Sequence, residues 1–251
     1  MNLYFILSVF IVLSAVANHC DGKLPNGIKL CSRNDPNVAK CIIDSIRNLQ
    51  PRLADGNLSP DFKLTPLEPL KLENIHIDRG PNFQVHISNL VVVRGASKFK
   101  IDKMRVDLGE PMFDFLISLP RLEFKGKYDL KAVIGALPVD NRGDMIGIAE
   151  NYRARVRLHA KKYIGEDGLT YIKFEKIQLK IMPGTSKLQL QNLFEDNPAL
   201  KFLANTFISE SSGFFVNDLT PTLEKSLGDL FTKAGNEIIK QASFDELFPD
   251  I

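Results

Sequence analysis

The sequence predicts an α+β fold in which a strongly curved antiparallel β-sheet wraps a long C-terminal α-helix, with a short helix at the N-terminus. Three observations carry this expectation. Residues 72–192 alternate apolar and polar side chains with the period of a strand. From about residue 198 to 242 the pattern turns helical and rich in phenylalanine. The strand alternation also breaks parity twice, as a bulged and bending sheet requires.

The first segment reads as a leader rather than as part of the fold. Residues 3–17 are almost uniformly apolar, carry no charge and end in Ala15-Val16-Ala17, a small-residue cleavage pattern. At about 15 residues the run is short for a membrane span. Residues 1–22 are therefore expected to be a signal peptide, cut after Ala17 or Gly22, with residues 23–251 forming one secreted, extracellular domain. The two cuts differ in the fate of Cys20. Left in the mature chain, it makes an odd thiol, which implies a free group or pairing between chains.

Cys31 and Cys41 bracket Asn34-Asp35-Pro36 and read as a disulfide staple from a loop to the first turn of a helix. Asp35 suits the cap and Pro36 the first helical position, while Val38, Ile42, Ile46, Leu49 and Leu53 line one face. Next, Gly56 to Pro69 is punctuated by Pro60, Pro66 and Pro69 and must run extended. Asn57-Leu58-Ser59 within it is a glycosylation sequon, followed by Pro60.

In the sheet region Phe83, Val85, Ile87, Val91 and Val93 are expected on one face, opposite Gln84, His86 and Ser88. Leu122, Phe124, Tyr128, Leu130, Ala132 and Ile134 oppose a row of charged residues in the second run. The third sets Tyr152, Ala154, Val156, Leu158 and Ala160 against Arg153, Arg155, Arg157, His159 and Lys161. One dry and one wet face is the pattern of antiparallel sheet covered on one side. Turns are expected at Asp140-Asn141-Arg142-Gly143 and Gly165-Glu166-Asp167-Gly168. Bulges are expected where Ile101 gives way to Met104 and Phe174 to Ile177. The C-terminal helix carries too many apolar residues for a narrow stripe, so much of it should be buried, with kinks at Ser211-Ser212-Gly213 and Pro221.

Composition narrows the function. A formal charge of +2 with dispersed lysines gives no reason to expect nucleic acid. No Gly-x-Ser-x-Gly elbow, His-Glu-x-x-His helix or phosphate-cradling glycine loop is present, and His76, His86 and His159 fall on wet strand faces. The expectation is a non-catalytic protein without cofactor or metal. A surface-interaction module is the alternative, meeting a membrane or receptor through the cationic strand face Arg153, Arg155, Arg157, Lys161 and Lys162.

Ordered motifs add a resemblance that spans essentially the whole mature chain. They are Leu24-Pro25, the Cys31–Cys41 loop with Arg33-Asn34-Asp35-Pro36-Asn37, Pro66-Leu67-Glu68-Pro69-Leu70 and Gly126-Lys127-Tyr128-Asp129-Leu130. Gly143-Asp144, Leu190-Gln191-Asn192-Leu193-Phe194 and Phe244-Asp245-Glu246-Leu247-Phe248-Pro249 complete the set. Together they resemble the insect takeout and juvenile-hormone-binding protein family. With no cysteine after Cys41, the chain is more similar to the takeout branch than to the hormone carriers, which have a second disulfide. It also lacks tryptophan.

The resemblance implies a lipid-binding super-roll with an internal hydrophobic tunnel, holding a small elongated ligand such as a terpenoid, fatty acid or carotenoid in a monomeric carrier. Carried onto this sequence, it implies a lining of Phe83, Val85, Ile87, Phe124, Tyr128, Leu130, Tyr152, Val156, Phe202, Phe207, Phe214 and Phe215. Tyr128 and Tyr152 are the polar candidates for orienting a ligand carbonyl or hydroxyl.

Overall fold

The computed structural model describes residues 24, 28–59, 62–72, 74–134, 137–195, 197–210 and 212–250. The expected signal peptide and Cys20 lie outside the described residues. The first helix, α1 (Val38–Asp55), is joined to the preceding loop by the Cys31–Cys41 disulfide. It starts later than the sequence suggests. The Asp35 carboxylate accepts the Asn37 N–H at 2.7 Å, and Pro36 stays in the turn before the helix. Gly56 ends α1 with φ 75°, where a side chain would meet the Leu64 carbonyl.

Two short strands, β1 (Asn57–Ser59) and β2 (Phe62–Lys63), pair within the connector. The main antiparallel sheet contains β3 (Leu70–Lys71), β4 (Ile75–Asp78), β5 (Phe83–Arg94), β6 (Lys100–Asp107), β7 (Met112–Ile134) and β8 (Leu137–Ile164). It is completed by β9 (Thr170–Phe174), β10 (Gln178–Met182) and β11 (Thr185–Leu190). The long strands β7 and β8 form its spine. β5 and β6 line successive halves of β7, and β11, β10 and β9 line successive parts of β8.

The expected turn at Asp140–Gly143 is overturned, because these residues lie inside β8 and the reversal falls between Ile134 and Leu137. Gly143 is needed there as a small residue, not as a turn former: it pairs with Tyr128, and a Cβ would lie 2.5 Å from the Gln191 carbonyl and 3.1 Å from the Tyr128 ring. The turn at Gly165–Gly168 forms as expected.

Both spine strands change their inward face at one point. Phe113 is buried before Pro120, whereas Tyr128, Leu130 and Ala132 are buried after it. On the partner strand Val139, Met145 and Ala149 give way to Ala154, Val156 and Leu158 across Asn151. Leu119 still pairs with Tyr152 and Arg121 with Glu150, so register is kept while both strands invert together. Pro120 has no N–H for the ladder and Asn151 adopts φ 58°, which together make the switch. The molecule therefore has two apolar cores. The first gathers Ile75, Val85, Ile87, Tyr128, Leu130, Met145, Leu190, Leu193 and Ile208; the second gathers Phe113, Val156, Leu158, Ile172, Ile177, Ile239, Phe244 and Phe248.

A bulge in β5 corrects another expectation. The register shifts between Ser88 and Val91, with Asn89 at φ 50°, so Leu90 is buried and Val91 no longer shares the face of Phe83. Gly126 lies beneath this bulge, where its missing Cβ leaves room for the Ser88 carbonyl and Leu90. The bulge expected after Ile101 is present in β6. At Phe174–Ile177 the strand instead breaks into β9 and β10, and the Ile177 N–H turns to Thr232 Oγ1 at 2.9 Å.

The C-terminal region is divided into α2 (Pro198–Glu210), α3 (Ser212–Ile239) and α4 (Phe244–Leu247). The expected interruption near 211 separates α2 from α3, whereas α3 runs through Pro221. Most described side chains of α3 are half-buried, less than expected, because a polar stripe of the helix closes the sheet edge. Glu224 accepts the Ile181 N–H, Thr232 that of Ile177 and Asn236 that of Phe174, each at 2.8–2.9 Å. Finally, Arg33 joins the chain ends: its backbone N–H and Nε donate to the Pro249 and Phe248 carbonyls, and its guanidinium pairs with Asp245 and Asp250.

Candidate functional site

Between α2 and the sheet lies an open groove of about 950 Å³. Its floor begins with a pairing on the spine. Phe124 faces Gly147 across the β7–β8 ladder, and a Cβ on Gly147 would lie 2.2 Å from the Phe124 ring. The absence of that Cβ leaves the space that the ring occupies. Two residues farther along the same face Gly126 pairs with Met145, and then Tyr128 with Gly143, so large and small residues alternate across the ladder. Around Phe124 the groove is lined by Val93, Ile146, Ile148 and Leu188 from the sheet and by Pro198, Phe202 and Thr206 from α2. Arg121, Glu123, Lys125, Lys187 and Lys201 add charge to this mainly apolar wall. A second groove, of about 860 Å³, lies between α1 and β6. Gln50 crosses from α1 there, donating to the carbonyls of Ser97 and Phe99 at 2.6 Å each.

The residues expected to line a tunnel fall into several places. Val85, Ile87, Tyr128 and Leu130 are buried together in the first core, with Phe83 and Phe124 packed against it. Val156 lies in the second core, beyond the inversion at Pro120 and Asn151. Phe202 is 70% exposed, on the wall of the groove rather than inside a tunnel. Of the twelve, Phe124 and Phe202 line the groove. Phe207, Phe214 and Phe215 are on α2 and α3, and their side chains lie outside the described residues.

Both tyrosines expected to orient a ligand have hydrogen-bond partners within the protein. The Tyr128 phenol, 4% exposed as a residue, lies 2.8 Å from Asn141 Oδ1 and 2.6 Å from the Gln191 carbonyl. With one O–H proton and two acceptors of the protein's own, it is a strut between β8 and the segment after β11. Burial, helped by the Glu195 charge, pushes its pKa up to about 12. The Tyr152 phenol shares a 2.6 Å hydrogen bond with Ser186, and burial raises its pKa against that bond.

The cationic strand face is largely committed within the protein. Arg155 and Arg157 both hold Asp114, whose side chain is only 12% exposed. Hydrogen bonds from Arg155 depress the Asp114 pKa to about 2 against the opposing effect of burial, and Arg157 adds to the depression. Lys161 pairs with Glu175, while Lys162 donates to the carbonyls of Leu108 and Gly109 and lies over the Phe244 ring. Of the five, Arg153 and Lys162 make no ion pair among the described residues. The face therefore offers far less free charge than five cations in a row suggest.

Sequence reasoning missed Gly147, Ile146, Ile148 and Leu188. Their signal was present, since Gly147 interrupts an alternating run, but the reversal placed at 140–143 hid which residue it opposes.

Comparison with known proteins agrees with the geometry. A putative beta-carotene-binding protein of Schistocerca gregaria is 25% identical over 224 residues, covering 89% of this chain and 88% of its own. The circadian clock-controlled protein daywake of Drosophila melanogaster is 23% identical over 235 residues, with 89% and 88% covered. Among solved structures, Takeout 1 of Epiphyas postvittana has the same fold, with a TM-score of 0.74 at 17% identity over 88% of this chain and 100% of that one. The family model for haemolymph juvenile hormone binding protein matches residues 7–249. On that match, which spans nearly the whole sequence, the chain belongs to the haemolymph juvenile hormone binding protein and takeout family.

Proposed function

We propose that this chain is a secreted, non-catalytic carrier of a small elongated hydrophobic molecule, held in the groove between α2 and the sheet. The observation that carries this reading is the Phe124–Gly147 pair, which places an aromatic ring in the lining of a largely apolar groove of about 950 Å³. That volume lies within the ~300–1,000 Å³ range of sites for small ligands. Phe202, left exposed on α2, supplies the opposite wall. Phe83, Val85, Ile87 and Leu130 pack in or against the first core behind this groove and give it a firm apolar backing. The locust relative is described as binding beta-carotene, and the family by juvenile hormone binding, so a hydrophobic cargo accords with both.

Burial supplies enough energy without further chemistry. Covering ~300–400 Å² of apolar ligand surface contributes roughly 8–10 kcal/mol before association costs of several kcal/mol. The result is about micromolar affinity.

Mass spectrometry of an organic extract from the protein purified after secretion tests the reading. Wild type is expected to yield a lipid near one equivalent. Phe202→Ser, at an exposed position, and Gly147→Val, which fills the space of the Phe124 ring, are expected to yield several-fold less. An empty wild-type extract, together with no binding to a panel of terpenoids, fatty acids and carotenoids, overturns it.

A further inference from the structure

His76 on β4 and His86 on β5 pair directly across the ladder between these strands, and their ring centroids are 5.8 Å apart. Their neighbours fix the face on which they stand. Ile75 and Ile77 flank His76, Val85 and Ile87 flank His86, and all four lie in the first core or pack against it. Strand alternation therefore puts both imidazoles on the outer face, and both residues are exposed. Neither ring makes a hydrogen bond or ion pair among the described residues. Their nitrogens are thus uncommitted.

The spacing suits one ion held by both rings. With a metal–nitrogen bond of about 2.0–2.1 Å, two imidazoles bound to one ion at a tetrahedral or wider angle have centroids about 5–6 Å apart. Side chains directly opposite on an antiparallel pair begin with Cβ atoms about 4.5–5.5 Å apart, so small side-chain rotations bring the nitrogens to a common point without moving the backbone. The next residue of the row, Asp129 on β7, stands opposite His86, but its carboxylate is held by Arg142 at 2.8 Å. No set of three or more His, Cys, Asp or Glu side chains converges on a metal position among the described residues. The arrangement is a two-imidazole chelate, with water to complete the coordination. Imidazole suits zinc, copper and nickel, whereas magnesium and calcium require oxygen ligands. We propose that His76 and His86 form a surface site for a divalent transition-metal ion, binding copper(II) more tightly than zinc(II). A bound ion cross-links β4, which is four residues long and pairs with β5 alone among the described strands, to the body of the sheet.

Calorimetric titration of the full secreted chain, carrying no affinity tag, with copper(II) or zinc(II) chloride tests this. Wild type is expected to take up one more equivalent of copper than the double variant His76→Gln, His86→Gln. Each single variant should weaken that equivalent by about tenfold or more, because the second imidazole acts at the high effective concentration set by the first. His159→Gln, on β8 opposite Met112, should leave it unchanged. Saturating copper should also raise the thermal midpoint of wild type more than that of the double variant, since the ion binds the folded ladder. Matching circular dichroism shows that the variants are folded.

Equal copper uptake by wild type and the double variant overturns the site. Weakening in one single variant but not the other assigns the ion to one imidazole and overturns the chelate. Calcium bound as tightly as copper overturns the choice of a nitrogen-preferring ion.

Discussion

At the scale of single residues, the two most displaced titrations are structural, and each links stability to pH. Tyr128 is protonated in the fold up to about 12, whereas an unfolded tyrosine ionises near 10. Its stabilising effect is complete below about pH 10 and is lost as pH rises through about 12. Spectrophotometric titration of the phenols is expected to show a late tyrosine near pH 12 that disappears in Tyr128→Phe. That variant should also lose about 1–2 kcal/mol, because it leaves acceptors of Asn141 and Gln191 without their donor. Asp114 has the opposite sign. Its carboxyl is depressed to about 2, so its contribution is present above the ordinary carboxylate range and declines as pH falls toward about 2. Denaturant melts between pH 5 and pH 2 should show a smaller acid loss for Asp114→Asn than for wild type. Equal slopes would mean that Arg155 and Arg157 do not hold Asp114 in solution.

At the scale of elements, the packing shows why some features were legible and others were not. The alternation of β8 from Tyr152 to Ala160 was legible because Ala154, Val156 and Leu158, every second residue at its centre, are buried on one face. The inversion at Pro120 and Asn151 was not, since it depends on two residues distant in sequence coinciding on adjacent strands. The hairpin at 134–137 was obscured by Asp140–Gly143, whose turn-like composition serves the fit of Tyr128 instead. For the groove, Phe124 and Phe202 were readable as apolar residues, but Gly147 acquires its meaning only from register. Locality also hides the terminal clasp. Arg33 and the Phe244–Asp250 segment belong to separate motifs, yet they form one unit in which Arg33 also lies 5.4 Å from the Phe244 ring centroid. Arg33→Ala removes the hydrogen bond to Phe248 and the ion pairs together, and is expected to cost about 2–3 kcal/mol. Reducing the Cys31–Cys41 disulfide, which positions the same loop, should lower stability by a similar ~2–3 kcal/mol. Chemical denaturation of the two single perturbations and their combination would show less than additive loss if they act on one clasp.

At the scale of the whole molecule, the inversion on the spine separates two mechanical tasks. The half beyond Pro120 holds the second core, the sheet edge sealed by α3 and the clasp of the chain ends, all densely bonded. The half containing Phe124, Ile146, Leu188 and α2 carries the open groove and exposed Phe202. A ligand seated there adds apolar contacts to the first core and to α2, but touches nothing in the second. Its stabilisation should therefore be local at first, because a segment bound only in the closed state gains protection in proportion to occupancy. Hydrogen exchange followed by mass spectrometry, with and without bound cargo, is expected to slow amides of α2 and of the β7, β8 and β11 segments around Phe124, Gly147 and Leu188. Amides of β9, α4 and the Arg33 loop should be unchanged. Protection spread equally over both halves would show that the inversion transmits binding rather than containing it, and protection confined to the second half would move the ligand site to the far side of Pro120.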